Sequence, residues 1–193
     1  MKTYLARLPE DIRSLIETAG VLARDRGETA YLVGGFVRDL ILGVKNFDLD
    51  IVIEGDGIAF GHEYARRLQA KLTPHHRFGT ATVHLTGGQK VDIATARKES
   101  YPHPAHLPVV RPGTVRDDLF RRDFTINAIA LQISGAGYGR ILDLFKGRND
   151  LRDGILRVLH PVSFIDAPTR ILRGIRFEQR FDFVFEPFTY KLM

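Results

Sequence analysis

The chain contains no cysteine in its 193 residues. Disulfides and thiolate metal sites are therefore excluded, and nothing suggests secretion. The amino-terminal stretch Met1-Lys2-Thr3-Tyr4-Leu5-Ala6-Arg7 lacks the apolar run of a signal peptide. No later stretch is apolar for long enough to cross a bilayer. The expectation is a cytoplasmic protein with no membrane partner. Internal repeats and low-complexity tracts are also absent. Acidic residues are the minority charge, 23 against 28 Lys and Arg, leaving a net charge of +5. That balance leans modestly toward a polyanionic partner. What remains is ordinary: 44% hydrophobic and 26% charged residues describe a globular protein, long enough for one domain with a respectable core and the start of a second.

The most informative segment is Phe47-Asp48-Leu49-Asp50-Ile51-Val52-Ile53. It reads as a strand, in which side chains two apart share a face. Asp48 and Asp50 then stand side by side while Leu49, Ile51 and Ile53 face a core. At about 4 Å and an effective dielectric near 20, two such charges repel by roughly 4 kcal/mol. A divalent cation is the obvious reason to keep both ionised. Mg²⁺ suits the pair, since it takes a few carboxylate oxygens and fills its other positions with water and substrate phosphate.

Just upstream, Ala30-Tyr31-Leu32-Val33 reads as a short buried strand, and Gly34-Gly35 turns the chain into a helix beginning Phe36-Val37-Arg38. A glycine turn at a helix start offers free N–H groups and a positive dipole end, which suits phosphate. Arg38, one turn in, adds a charge-assisted contact. Either feature alone is more often structural than functional; their order makes a triphosphate site beside a metal site.

Elsewhere, residues 9–26 and 58–70 read as amphipathic helices. Thr80–Leu85 and Lys90–Ala94 flank Gly87-Gly88 as a hairpin. Asp92 lies within its second arm. It is a third carboxylate for the same metals if that arm pairs beside Asp50, and otherwise a solvent-facing strand residue. Residues 100–113 are rich in proline and histidine, which predicts a mobile loop without regular structure; its histidines match no strong zinc spacing. Strands are expected at 129–133, 141–144 and 155–159, with a turn or short helix at 149–154. Residues 161–180 read as one long helix, with Pro168 near its beginning, and 187–193 begin another. Arginines crowd the second half, and Arg170, Arg173 and Arg176 recur every three residues, sharing a side of that long helix.

Four motifs now carry a resemblance: Leu32-Val33-Gly34-Gly35-Phe36-Val37-Arg38-Asp39, Asp48-Leu49-Asp50, Arg121-Arg122-Asp123-Phe124-Thr125-Ile126-Asn127-Ala128, and Arg170-Ile171-Leu172-Arg173-Gly174-Ile175-Arg176-Phe177. Long, ordered and spread over most of the chain, they closely resemble the class II tRNA nucleotidyltransferases. That group comprises the CCA-adding enzymes, the related bacterial poly(A) polymerases, and the separate A-adding and CC-adding enzymes. The resemblance implies an α+β, polymerase-β-like nucleotidyltransferase fold, with a mixed or antiparallel sheet flanked by helices. It places a head domain at 1–160 and the start of a helical neck at 161–193, so that the chain reads as a head-bearing fragment.

By the same resemblance, Gly34, Gly35 and Arg38 are triphosphate contacts and Asp48 and Asp50 bind metal, with Asp92 the third catalytic carboxylate. Arg122, Asp123 and Asn127 sense the ribose, Arg170, Arg173 and Arg176 contact the incoming nucleotide, and the proline- and histidine-rich segment is a flexible loop linked to A addition. The neck motif of the family usually reads Glu-Asp-x-x-Arg, its Asp and Arg bonding the base edge. Here Asp166 and Ala167 stand in the first two places, and alanine offers no hydrogen-bonding side chain. Either Asp166 takes over base recognition, or bases are selected differently, or the site was altered.

The implied reaction is attack of an RNA 3′-hydroxyl on the α-phosphate of a nucleoside triphosphate at a two-Mg²⁺ site, releasing pyrophosphate without a nucleic-acid template. The implied partners are ATP, with CTP left open, and RNA, foremost the tRNA 3′ end. The products CCA and terminal A both stay open. A poly(A) polymerase acting on other RNA, or a nucleotide- or RNA-binding module without catalysis, are the rival readings.

Overall fold

The computed structural model describes residues 4–193; the signal-peptide reading falls in part on residues 1–3, outside that range. Helix α1 (Glu10–Asp25) forms as its spacing dictates, with Glu10 and Asp11 in the first turn favouring the dipole and Ile12, Leu15, Ile16, Ala19, Leu22 and Ala23 buried along one stripe. The chain then runs through β1 (Thr29–Val33), α2 (Gly34–Leu42), β2 (Leu49–Glu54) and α3 (Gly57–Arg67). The carboxylate of Asp56 caps α3 by accepting from the N–H groups of Ile58 and Ala59.

Strands β3 (Lys71–His75), β4 (Thr80–His84) and β5 (Lys90–Thr95) follow. The hairpin expected around Gly87-Gly88 is present, with Thr82 opposite Asp92 in antiparallel register. After the small hairpin β6 (Arg97–Ser100) and β7 (Val109–Pro112) come α4 (Val115–Phe120), β8 (Ala130–Gln132), β9 (Ile141–Leu142), α5 (Gly147–Asp153) and β10 (Ile155–Leu156). The chain ends in α6 (Ser163–Asp166), α7 (Thr169–Phe181), β11 (Val184–Phe185) and α8 (Pro187–Lys191).

The main sheet has the order β3-β4-β5-β2-β1-β8-β9. Its pairs are antiparallel except β2–β5, so the sheet is mixed. Period-two alternation along β2 decides which side each residue serves. Leu49, Ile51 and Ile53 join the larger core beneath α1 and α3, while Val52 joins Tyr31, Val33 and Leu119 in a smaller one on the opposite face. Asp50 shares that second face. Helix α7 is anchored to the sheet domain by aromatic contact: the ring of Phe124 lies 6.0 Å from Phe177 and 6.2 Å from Phe185. Gly174 permits this approach, because a Cβ there would fall 2.5 Å from Phe185.

Two expectations are corrected. Residues 100–113 are not wholly irregular: β6 and β7 pair from Arg97↔Pro112 to Ser100↔Val109. The tip between them carries the histidines and every proline of the segment except Pro112, and the β-branched pair Val109-Val110 supplies the returning arm. Pro112 sits at the strand end, where its missing N–H does little harm. The helix expected over 161–180 is broken into α6 and α7. Proline disfavours the helical region for the residue before it, and Ala167 takes φ −143° and ψ 87°. The two strands expected at 141–144 and 155–159 shrink to two residues each, 149–153 belongs to α5 with Gly154 as its cap, and β3 and β11 were not anticipated.

Candidate active site

Strands β2 and β5 bring Asp50 and Asp92 into direct register, so both project from the same face of the sheet. The diglycine turn lies against them. Gly34 takes φ +67°, a conformation that glycine adopts without steric cost. A Cβ on Gly34 would stand 3.5 Å from Asp50 Oδ2 and 2.7 Å from Arg122 Nη1. The first turn of α2 has no side-chain cap, leaving amides available to an anion. Asp48 precedes β2, exposed, and its N–H donates to Asn46 Oδ1 at 3.0 Å. Thr82 Oγ1 donates to Asp92 Oδ1 at 2.6 Å.

Burial pushes the Asp50 carboxyl up to about 6; Arg122 pulls it back, while Asp92, Asp48 and Asp118 push further upward. Negative charge is thus under-compensated here, and the donors are hard oxygens, a combination that fits Mg²⁺. No cluster of three or more metal-binding side chains closes among the described residues, so a cation held by this pair would complete its shell with water and phosphate oxygens.

Beside this face opens a cavity of about 530 Å³ reached by Gly34, Gly35, Arg38, Asp50, Arg122, Asp123 and Asn127 from the sheet side and by Arg170, Arg173 and Arg176 from α7. Arg38 is held by Asp39 Oδ1 and Asn127 Oδ1, both at 2.7 Å, and stacks over Phe177 and Phe181. Its Nη2 is left facing the Gly35 turn, 3.5 Å from where a Cβ would stand. Asn127 Nδ2 donates to Asp123 Oδ1 at 2.9 Å, and Arg173 Nε donates to Asp123 Oδ2 at 2.7 Å. A smaller cleft of about 300 Å³ adjoins on the other side of Asp50, bordered by Asp92, Thr80 and Arg97.

Ten of the thirteen expected site residues therefore border one cavity. Asp92 borders the adjoining cleft and Asp48 sits at the exposed edge of β2. Asp166 is the exception: it does not line the cavity, whereas Ala167 and Thr169 do. The break before Pro168 turns Asp166 toward His160, whose pKa it tends to raise. Arg170 reaches the wall but is committed to the protein, donating to Ser163 Oγ and to the carbonyl of Arg121, both at 2.7 Å.

Sequence reasoning passed over Asp118. Fully buried, it accepts from Arg121 at 2.8 Å and from Arg122 at 2.8 Å. Burial opposes its ionisation, but the two guanidinium groups hold it below the usual carboxylate range. It fixes Arg122 against Gly34 and Asp50, leaving Arg122 Nε buried without a partner among the described residues. Its spacing of three and four residues from the two arginines just past the end of α4 was the available signal. Arg180, Glu99 and Tyr101, which also border the cavity, carried no comparable signal.

The Poly A polymerase head domain family model matches residues 30–157. An A-adding tRNA nucleotidyltransferase from Halalkalibacterium halodurans is 46% identical over 185 residues, covering 96% of this chain and 43% of that enzyme. The structure of a CCA-adding enzyme in an apo form superposes with a TM-score of 0.93 at 47% identity, over 99% of this chain and 45% of that one. The Thermotoga maritima CCA-adding enzyme complexed with tRNA gives 0.88 at 45% identity, over 99% and 43%. The chain spans less than half the length of three A-adding relatives, covering 43%, 21% and 20% of them. Four ordered motifs, a mixed sheet in the same arrangement and this degree of identity agree: the chain belongs to the Poly A polymerase head domain family, together with the A-adding and CCA-adding tRNA nucleotidyltransferases.

Proposed function

We propose that this chain is the nucleotide-transferring part of a template-independent RNA nucleotidyltransferase that extends the 3′ end of tRNA, with terminal A as the first candidate product. The observation that carries the reading is the juxtaposition of Asp50, the Gly34 turn and an arginine-lined cavity. Similarity to A-adding relatives at 41–48% identity favours ATP as donor, while a CCA-adding structure at 47% keeps CTP in play. We read residues 1–160 as the head and 161–193 as the first part of a helical neck.

In this reading the triphosphate lies along the uncapped start of α2, with Gly34 and Gly35 amides and Arg38 Nη2 as its donors. Asp123 and Asn127, braced by Arg173 and Arg38, meet the ribose. Arg176 meets the nucleotide from α7. The RNA 3′-terminal ribose enters the cleft between Asp50 and Asp92, so that its hydroxyl lines up with the α-phosphate. A new 3′-O–P bond forms, the α–β phosphoanhydride bond breaks to release pyrophosphate, and the hydroxyl proton passes to solvent water. Asp48 and Asp50 are the side chains that would hold Mg²⁺, which when bound would supply Lewis acidity to the attacking hydroxyl and the departing pyrophosphate. Arg122, fixed by Asp118, adds positive charge beside the reacting phosphate.

The test is incorporation from labelled ATP or CTP into tRNAs ending before C74 or before A76, and into an unstructured RNA. Extension of the tRNA lacking only A76, from ATP, is expected. Nucleotide binding without any Mg²⁺-dependent incorporation would leave a binding module, and extension of the unstructured RNA alone would make the protein a poly(A) polymerase.

A further inference from the structure

The loop between α2 and β2 carries Asp48 but has little to hold it, since Val44, Phe47 and Asp48 are all exposed. Among the described residues its side-chain hydrogen bonds are two, and both run through Asn46. Asn46 Oδ1 accepts from the Asp48 N–H at 3.0 Å, and Asn46 Nδ2 donates to Asp39 Oδ2 at 2.9 Å. Asp39 is wholly buried. Its other oxygen accepts from Arg38 Nε at 2.7 Å, and Oδ2 also accepts from Arg180 Nη2 of α7 at 3.4 Å. One buried carboxylate therefore holds the arginine that faces the phosphate turn, the loop that presents Asp48, and a helix 141 residues away in sequence. Removing either bond of Asn46 leaves Asp48 freer to swing from the Asp50 face, since residues 44–48 belong to no strand and only Leu49 beyond it is held in the sheet.

We propose that Asn46 and Asp39 are positioning residues that tie the metal carboxylate Asp48 to the phosphate arginine Arg38, so that Mg²⁺ and triphosphate are gripped together. The inference rests on the assignment of Asp48 as a metal ligand and adds a dependence that the assignment alone does not contain. Asn46 is a side chain with two different jobs, and two substitutions separate them. Asn46→Ala removes both bonds. Asn46→Asp keeps an acceptor for the Asp48 N–H but loses the donor and sets a like charge against Asp39.

The experiment is calorimetric titration of ATP into the wild type and both variants over a series of Mg²⁺ concentrations, alongside the Mg²⁺ midpoint of nucleotide incorporation and a melting curve. Partners one step behind a metal ligand change metal affinity by about 10–100-fold, so both variants are expected to need about tenfold more Mg²⁺ for half-maximal ATP binding. Asn46→Ala should melt close to wild type, because Asp39 keeps its two arginine partners, while Asn46→Asp should melt lower through its like charge against the buried Asp39. Unchanged Mg²⁺ midpoints overturn the proposal. A normal midpoint in Asn46→Asp with a raised one in Asn46→Ala also overturns it, reducing Asn46 to a local turn. Absence of Mg²⁺-dependent ATP binding in the wild type overturns the assignment of Asp48 itself, and this proposal with it.

Discussion

Asp50 and Asp92 face one another in register across the parallel pair β2–β5, and burial has already driven the Asp50 carboxyl up to about 6. The arrangement is costly to the folded chain and would be relieved by a bound cation. Asp50→Asn keeps the shape and removes the charge. Incorporation should fall by at least about 1000-fold, roughly 4 kcal/mol of barrier, while urea unfolding of the metal-free protein shows equal or greater stability. A variant that both loses activity and unfolds early would mark Asp50 as structural.

The two glycines of the turn should separate in the same way. Gly34→Ala must adopt φ +67°, a strain of roughly 1–2 kcal/mol for a residue with a Cβ, and must also push aside Arg122, whose Nη1 lies 2.7 Å from the new atom. Denaturant midpoints should drop and incorporation should fall. At Gly35 the nearest atoms are Arg38 Nη2 at 3.5 Å and Asn46 Nδ2 at 3.8 Å, ordinary contact distances. Gly35→Ala should fold normally and lose triphosphate affinity, seen as a raised ATP KM.

Arginines that share a side of α7 are not equivalent. Arg176 has no ion-pair or hydrogen-bond partner among the described residues and borders the cavity, whereas Arg170 is buried and bonded to Ser163, Arg121 and Tyr101. Arg176→Ala should leave unfolding unchanged and weaken ATP binding about tenfold, the scale of one hydrogen bond to a charged group. Arg170→Ala should destabilise the chain by roughly 3 kcal/mol by orphaning buried acceptors. Equal unfolding curves for the two would contradict this division.

That contrast marks what a sequence can disclose. Asp50, the Gly34 turn and Arg38 were legible because they lie within 17 residues on a strand, a turn and a helix whose periods are local. The pairing of Asp92 with Asp50 was legible only as a condition, since register between strands 42 residues apart depends on the whole sheet. Arg170 looked like its neighbours because spacing on a helix says which side a residue faces, not what already occupies it. The break at Ala167 was underestimated because Pro168 is tolerable in a first turn; its effect on the preceding residue decided the outcome. Asp39 and Asn46 were silent because their importance is a chain of contacts between loops.

His160 provides a pH handle away from the carboxylates. Burial lowers its pKa, Arg170 lowers it further, and Asp166 opposes them; its ring lies 5.3 Å from Phe120. The unfolded chain takes up the proton more readily than the folded one, so its contribution is complete above about pH 6.5 and lost as pH falls below that value. Asp50, raised to about 6, gives the opposite slope in the same window, so the loss is read by thermal unfolding between about pH 7 and 5 as the difference between wild type and His160→Phe, which keeps an aromatic ring against Phe120. The variant should lose less stability on acidification; an identical slope would show that His160 does not titrate there.

Ala167 borders the cavity where the neck motif of the family carries an acid, and Asp166 turns away. A methyl group there offers no acceptor to the exocyclic amino group of adenine or cytosine, and Arg170 is already engaged by Ser163 and Arg121. The wall near Ala167 therefore distinguishes amino-bearing from keto-bearing bases only weakly. Ala167→Asp sets a carboxylate where that amino group would lie, and a charged hydrogen bond contributes roughly 1.5–3 kcal/mol. The ratio of ATP and CTP incorporation to that of GTP and UTP should rise about tenfold or more, with little change in unfolding because the position is only half-buried. An unchanged ratio would place the base against a different wall, and Thr169, next along the rim, would be the residue to substitute.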